Sequence, residues 1–173
     1  MKQQAARAPI ELGQSLIKAF MTNERINQLV IEVIAPEVWR IFPPSSKRRN
    51  IATSFAHIHN VRVMRLKMSA RGSRLPARLD RGSVTPDQAR KPLAASAMAM
   101  VRLIRASLDA GGRVLAYSPG VVLMVVAAIS HEAHHRGQIL HWARELGAPI
   151  TPQQQGRIWD WPRLHRERAH ALD

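Results

Sequence analysis

The sequence predicts an all-α protein built as an antiparallel four-helix bundle. Three observations carry that expectation. Apolar residues recur at spacings of three and four through four segments of about 20–30 residues, the period of a helix with one buried side. Proline and glycine signals separate the segments. No stretch shows the strict alternation that marks a half-buried strand. Helices of this length and number bury their apolar stripes against one another.

The first helix is expected from about Ile10, along Leu12, Leu16, Ile17, Phe20, Ile26, Leu29, Val30, Val33 and Ile34, and Pro36 ends it. A connector follows, with Pro43-Pro44 as a firm break. The second helix is expected over about Lys47 to Met68. Residues 69–85, rich in Gly, Pro and Arg and without a period, read as an exposed loop. Thr85-Pro86-Asp87-Gln88 is a helix start, with Thr85 as N-cap, Pro86 in the first helical position and Gln88 closing a capping box. This third helix is expected to run to about Leu108, where Asp109-Ala110-Gly111-Gly112 stops it. Ser118-Pro119 starts the fourth in the same manner, and Gly147-Ala148-Pro149 stops it after Leu146. The domain organisation is then a flexible N-terminal arm over 1–9, a bundle over 10–150 and a tryptophan-containing tail over 151–173. Trp39, Trp142, Trp159 and Trp161 are expected to anchor packing, the last two over a bundle end or a dimer surface. Met64, Met68, Met98, Met100 and Met124 fall at helical spacings and read as core filling.

Composition narrows the chemistry. The 173 residues contain no cysteine, so disulfides, thiolate metal sites and a thiol nucleophile are excluded, and any metal must bind nitrogen or oxygen. The longest apolar run, Val121 to Ile129, is far short of the roughly 20 residues that cross a bilayer, and no secretory leader is visible. A cytoplasmic location is the expectation. Lys and Arg number 26 against 12 acidic residues, a formal charge of +14 that attracts anions, including nucleic acid. The basic residues concentrate in 45–50, 70–82 and 163–170, which also suits a solvated surface.

The fourth helix carries His-Glu-Ala-His-His-Arg-Gly-Gln-Ile-Leu-His over 131–141. Successive helical residues rotate by about 100°, so His131 and His135 share a face one turn apart, where two imidazoles can bind one cation. Gln138 continues that stripe; His134 and His141 point elsewhere. The same residues satisfy the zinc-protease pattern HExxH, in which Glu132 would be the general base. The extended form of that pattern needs a helix-breaking glycine three residues after the second histidine. Here Gly137 comes one residue early and the helix continues past it. Ser130 beside His131 lacks partners for a nucleophilic triad. A third imidazole must come from another helix, and the second helix offers His57 and His59 in Phe-Ala-His-Ile-His-Asn. Both lie on apolar stripes, so periodicity does not choose between them.

Ala-His-Ile-His-Asn-Val-Arg in the second helix, His-Glu-Ala-His-His-Arg-Gly-Gln-Ile in the fourth and a Trp-rich tail together resemble the DinB/YfiT-like superfamily over about residues 12–162. The resemblance implies a four-helix bundle with a long crossover loop, a homodimer, and a divalent metal, commonly zinc or nickel, on three histidines. Carried over by motif, the ligands are His57, His131 and His135, leaving His59, His134 and His141 outside the metal's direct ligands. Relatives in that superfamily include thiol-dependent transferases and an isomerase using low-molecular-weight thiols. This implies a metal-dependent enzyme of transferase or isomerase type acting on a small molecule, with a thiol as a second cofactor. Three neutral imidazoles with an open position suit catalysis, where an ion acidifies a bound water or thiol. Gln138, Glu132 and Asn60 are candidates to orient the ligand rings. Arg136, turned away from His135, is expected in a salt bridge or at the mouth as an anion contact. The contrasting expectation is a non-enzymatic basic bundle binding DNA or another polyanion.

Overall fold

The computed structural model describes residues 11–70 and 72–169, so the expected arm over 1–9 lies outside the described residues. Four long helices form the body: α1 (Leu12–Val33), α2 (Ile51–Ser69), α3 (Pro86–Asp109) and α4 (Gly120–Glu145). Two short ones follow, α5 (Pro152–Trp159) and α6 (Trp161–Ala169), and no strand occurs among the described residues. None of the described helices is long and apolar enough to cross a membrane.

The helices are arranged in the ring order α1, α3, α2, α4, so the consecutive pair α1 and α2 lies across a diagonal. Partner residues set the directions. His57 meets His131 and His135 while Val61 and Arg65 share a cavity with Met124, so α2 and α4 are antiparallel. Gln28 reaches Arg90 and Gly13 abuts Leu108, so α1 and α3 are antiparallel as well. The other two neighbouring pairs are parallel. Asn23 reaches Glu132 and Asn27 meets Arg136 between α1 and α4. Between α2 and α3, His59 meets Ser96 near the middle, and Leu66 and Ser69 sit with Leu103 and Ala106 beyond.

Parallel α2 and α3 demand a connection that returns along the bundle, and residues 70–85 supply it. Asn60 clasps this strap through both ends of its side-chain amide, its Nδ2 donating to Leu79 O and its Oδ1 accepting from Leu79 N, each at 2.9 Å. His59 Nε2 lies 2.8 Å from Ala77 O. The loop read from the sequence as simply exposed is therefore tied down at mid-helix. The first connector is pinned too. Trp39, 1% exposed, stacks on Phe55 with ring centroids 5.1 Å apart and donates from Nε1 to Val84 O at 2.9 Å.

Local chemistry places the helix starts. Thr85 and Gln88 form the expected capping box on α3. The second helix begins at Ile51 rather than near Lys47 because Asn50 is its cap: Asn50 Oδ1 accepts from Thr53 N, and Thr53 Oγ1 accepts from Asn50 N. Asn50→Ala is expected to cost about 1 kcal/mol in chemical denaturation, the usual worth of an N-cap. The fourth helix is not capped by Ser118. Its first residue, Gly120, turns the chain at φ +85°, a region that favours glycine, and a Cβ there would sit 3.1 Å from Gly112 O.

The tail, which shows no long periodic segment in the sequence, is helical. Thr151 and Gln154 cap α5 as Thr85 and Gln88 cap α3. Ile158 and Leu164, rather than the tryptophans, bury the tail against the core, while Trp159 stays 70% exposed. Among the methionines, Met100 and Met124 are buried, but Met64, Met68 and Met98 face outward because their positions lie off the packed stripe.

Candidate metal centre

The antiparallel contact of α2 with α4 brings three imidazoles to one point. His57 Nε2 lies 3.2 Å from His131 Nε2, and His135 Nε2 lies 3.1 Å from the same atom. One ring nitrogen from each of the three residues lies within 4.8 Å of the others. The rings turn their edges to one another, with centroids 4.5–5.2 Å apart. A tetrahedral ion with Zn–N bonds of about 2.0–2.1 Å holds its nitrogens about 3.3 Å apart. The two spacings from His131, 3.2 and 3.1 Å, fit that frame.

Proton accounting fixes the tautomer of one ring. A neutral imidazole has one donor and one acceptor nitrogen. His135 Nδ1 stands 2.9 Å from Gln138 Oε1 and donates to it, which leaves His135 Nε2 as a bare acceptor facing the other rings. The environment keeps all three rings neutral. Burial lowers the pKa of His57 to about 4, helped by the charges of its neighbouring histidines and of Arg49 and Arg81. Burial likewise takes His135 to about 4, with Gln138 opposing. His131 is lowered by burial against the pull of Glu132. Three neutral imidazoles whose Nε2 atoms converge on one space are the donor set that zinc or nickel takes when each presents its lone pair.

Of the candidates for holding a ligand ring, Gln138 makes that contact. Gln138→Ala is expected to weaken divalent-metal binding by about 10–100-fold in a competition titration with a chelating dye, as loss of an orienting partner does. Asn60 is occupied by the strap, as described above. Glu132 turns the other way, into the core. It accepts from Arg62 Nε and Nη2 at 2.7 Å each, from Asn23 Nδ2 at 2.6 Å and from Asn27 Nδ2 at 2.7 Å. Burial alone would raise its pKa, but the Arg62 charge overrides that and holds the carboxyl below its usual range. An acid with four donors and an ion pair, 2% exposed, is no general base. The HExxH spacing is thus structural here: position 132 faces away from the histidine stripe and serves the fold.

Arg136 is also in the core and not at the mouth. It is 8% exposed, donates from Nη1 to Asn27 Oδ1 at 2.7 Å, and burial takes its pKa down to about 10. His59 is fully buried between Ser96 Oγ and Ala77 O, with its pKa lowered by burial. His134 and His141 are exposed. Sequence reasoning missed Arg62, the partner that makes Glu132 tolerable; its only signal was a charge set between Val61 and Val63.

The DinB family model matches residues 110–161, the span that carries His131, His135 and Gln138. Over that span the chain resembles the DinB family. No curated protein and no solved structure gives a significant match. The matched segment brings two of the three imidazoles, and the fold adds His57 from outside it. The family match and the histidine cluster together allow a metal-binding protein of this kind.

Proposed function

We propose that the protein is a divalent-metal-dependent enzyme, with zinc or nickel on His57, His131 and His135, transferring or isomerising a small molecule with the help of a low-molecular-weight thiol. The convergence of three neutral imidazoles, each with Nε2 turned toward the others, carries this reading. When bound, such an ion supplies Lewis acidity that makes a thiol or water nucleophilic near neutral pH. The residues of the chain do the rest. Gln138 holds the tautomer of His135, and the buried Glu132–Arg62 pair fixes the turn of α4 on which both of its ligands stand. Val61, Met100, Met124 and Ala128 line a cavity of about 210 Å³ beside His131, which offers a dry wall for the apolar part of a substrate.

The test begins with protein made without a histidine tag. After exposure to cobalt(II) and dialysis it should retain about one ion per chain. Addition of glutathione, mycothiol or bacillithiol should then shift the cobalt visible spectrum for at least one thiol. Retention of no ion would remove the reading; an ion with no thiol response would remove the thiol.

A homodimer belongs to the same proposal, supported by Val122, Leu123 and Val126 on α4, exposed by 49%, 53% and 49%. Light scattering at micromolar concentration decides it. The formal charge of +14 favours a second reading, a basic bundle that holds DNA or another polyanion without catalysis. That reading requires DNA affinity that survives His131→Ala and falls steeply with salt.

A further inference from the structure

We propose that the mouth of the three-histidine centre recognises a small carboxylate, gripped by Arg49 and Arg81; this rests on reading the histidines as a metal centre. The first support is the charge inventory. Three neutral imidazoles leave the double charge of a divalent ion uncompensated. Neighbouring carboxylates are already spent: Glu132 on Arg62, and Glu145 on Ser45, whose N and Oγ it accepts at 2.8 and 2.5 Å. Neither Arg49 nor Arg81 pairs with a carboxylate among the described residues. Two guanidiniums thus stand near the three imidazoles with no carboxylate paired to them among the described residues, and with an ion bound such a field would draw an anionic ligand.

The second support is placement. Arg49, half-buried, lines a cavity of about 750 Å³ together with Ser46, His134 and Gln138, the last being the residue that holds His135. The charge of Arg49 reaches all three histidines. Arg81 arrives from the strap, with Nη2 3.4 Å from His57 Nδ1.

The third support is a proton argument. A guanidinium only donates, so its contact with His57 Nδ1 needs that nitrogen bare. An ion on Nε2 requires the proton on Nδ1, and the two N–H groups then face each other without an acceptor. A carboxylate between them accepts from both. It fills for His57 the role that Gln138 fills for His135.

The experiment uses the full, untagged chain loaded with cobalt(II) and titrated with succinate, neutral succinamide or inorganic phosphate, read by visible spectrum and calorimetry. Succinate should bind, succinamide should not, and phosphate should bind more weakly than succinate. Arg49→Gln with Arg81→Gln should lower succinate affinity by about tenfold or more, as loss of charge-assisted hydrogen bonds does, with cobalt content unchanged. Arg102→Gln with Arg105→Gln, on the exposed side of α3, serves as control and should change nothing. Equal losses in both pairs would mean general attraction to a basic surface and overturn the proposal. Tighter binding of phosphate would overturn the carboxylate assignment. Cobalt bound with succinate indifferent to Arg49 and Arg81 sinks the anion site alone. Failure to bind cobalt sinks the metal centre first, and the anion site with it.

Discussion

His131→Ala is expected to abolish stable divalent-metal binding, lowering affinity by more than about 100-fold, since even an orienting neighbour is worth about 10–100-fold. His131 is the residue to choose because its Nε2 is the atom nearest both other ligands, at 3.2 Å from His57 and 3.1 Å from His135. Its removal leaves two rings with no shared close neighbour. His141→Ala, on an exposed ring one helical face away, should leave metal content untouched. The measurement is metal content after dialysis with the far-ultraviolet circular dichroism spectrum as a check on folding. Equal metal retention in both variants would show that the ion binds elsewhere.

Arg62→Ala is expected to destabilise the fold by about 3–5 kcal/mol, because it strands buried carboxylates. Arg62 is 2% exposed and bridges two acids, Glu132 on α4 and Glu24 on α1, with Nη1 2.7 Å from Glu24 Oε2. It also donates to Leu93 O of α3 at 3.0 Å. One guanidinium thus joins all four long helices. Burial works to lower its pKa, yet the two carboxylates outweigh burial and raise it. For a chain of this length the loss corresponds to a melting temperature lower by about 10 °C or more. Glu132→Gln and Glu24→Gln on the Arg62→Ala background should restore part of it, because the cost lies in unpaired charge more than in lost contact. The pH dependence has a definite sign. Glu132 is held below its unfolded value of about 4.3, so its contribution is complete above that pH and is lost as pH falls through the lower folded value.

Much of this architecture is legible from residues alone, and the exceptions have physical causes. The start of α3 was readable because Thr85, Pro86 and Gln88 each signal a helix N-terminus. The same spacing recurs at Thr151, Pro152 and Gln154 and starts α5, but an eight-residue helix has too few apolar positions to show a period. His131 and His135 follow from rotation per residue. His57 does not, since His57 and His59 both lie on apolar stripes, and only the packing of α2 against α4 assigns one to the cluster and the other to Ser96 and Ala77. The helix directions were the least legible. The parallel pairs α1 with α4 and α2 with α3 depend on the strap over residues 70–85, whose path is set by Asn60 and His59 rather than by any pattern of its own.

That strap divides labour within the molecule. The imidazole trio stands on two rigid rods, whereas Arg81 hangs from a segment clipped on at a few points. The strap can therefore vary in length or side chains while the three imidazoles beneath it keep their places. Chemistry and choice of customer would evolve on separate clocks.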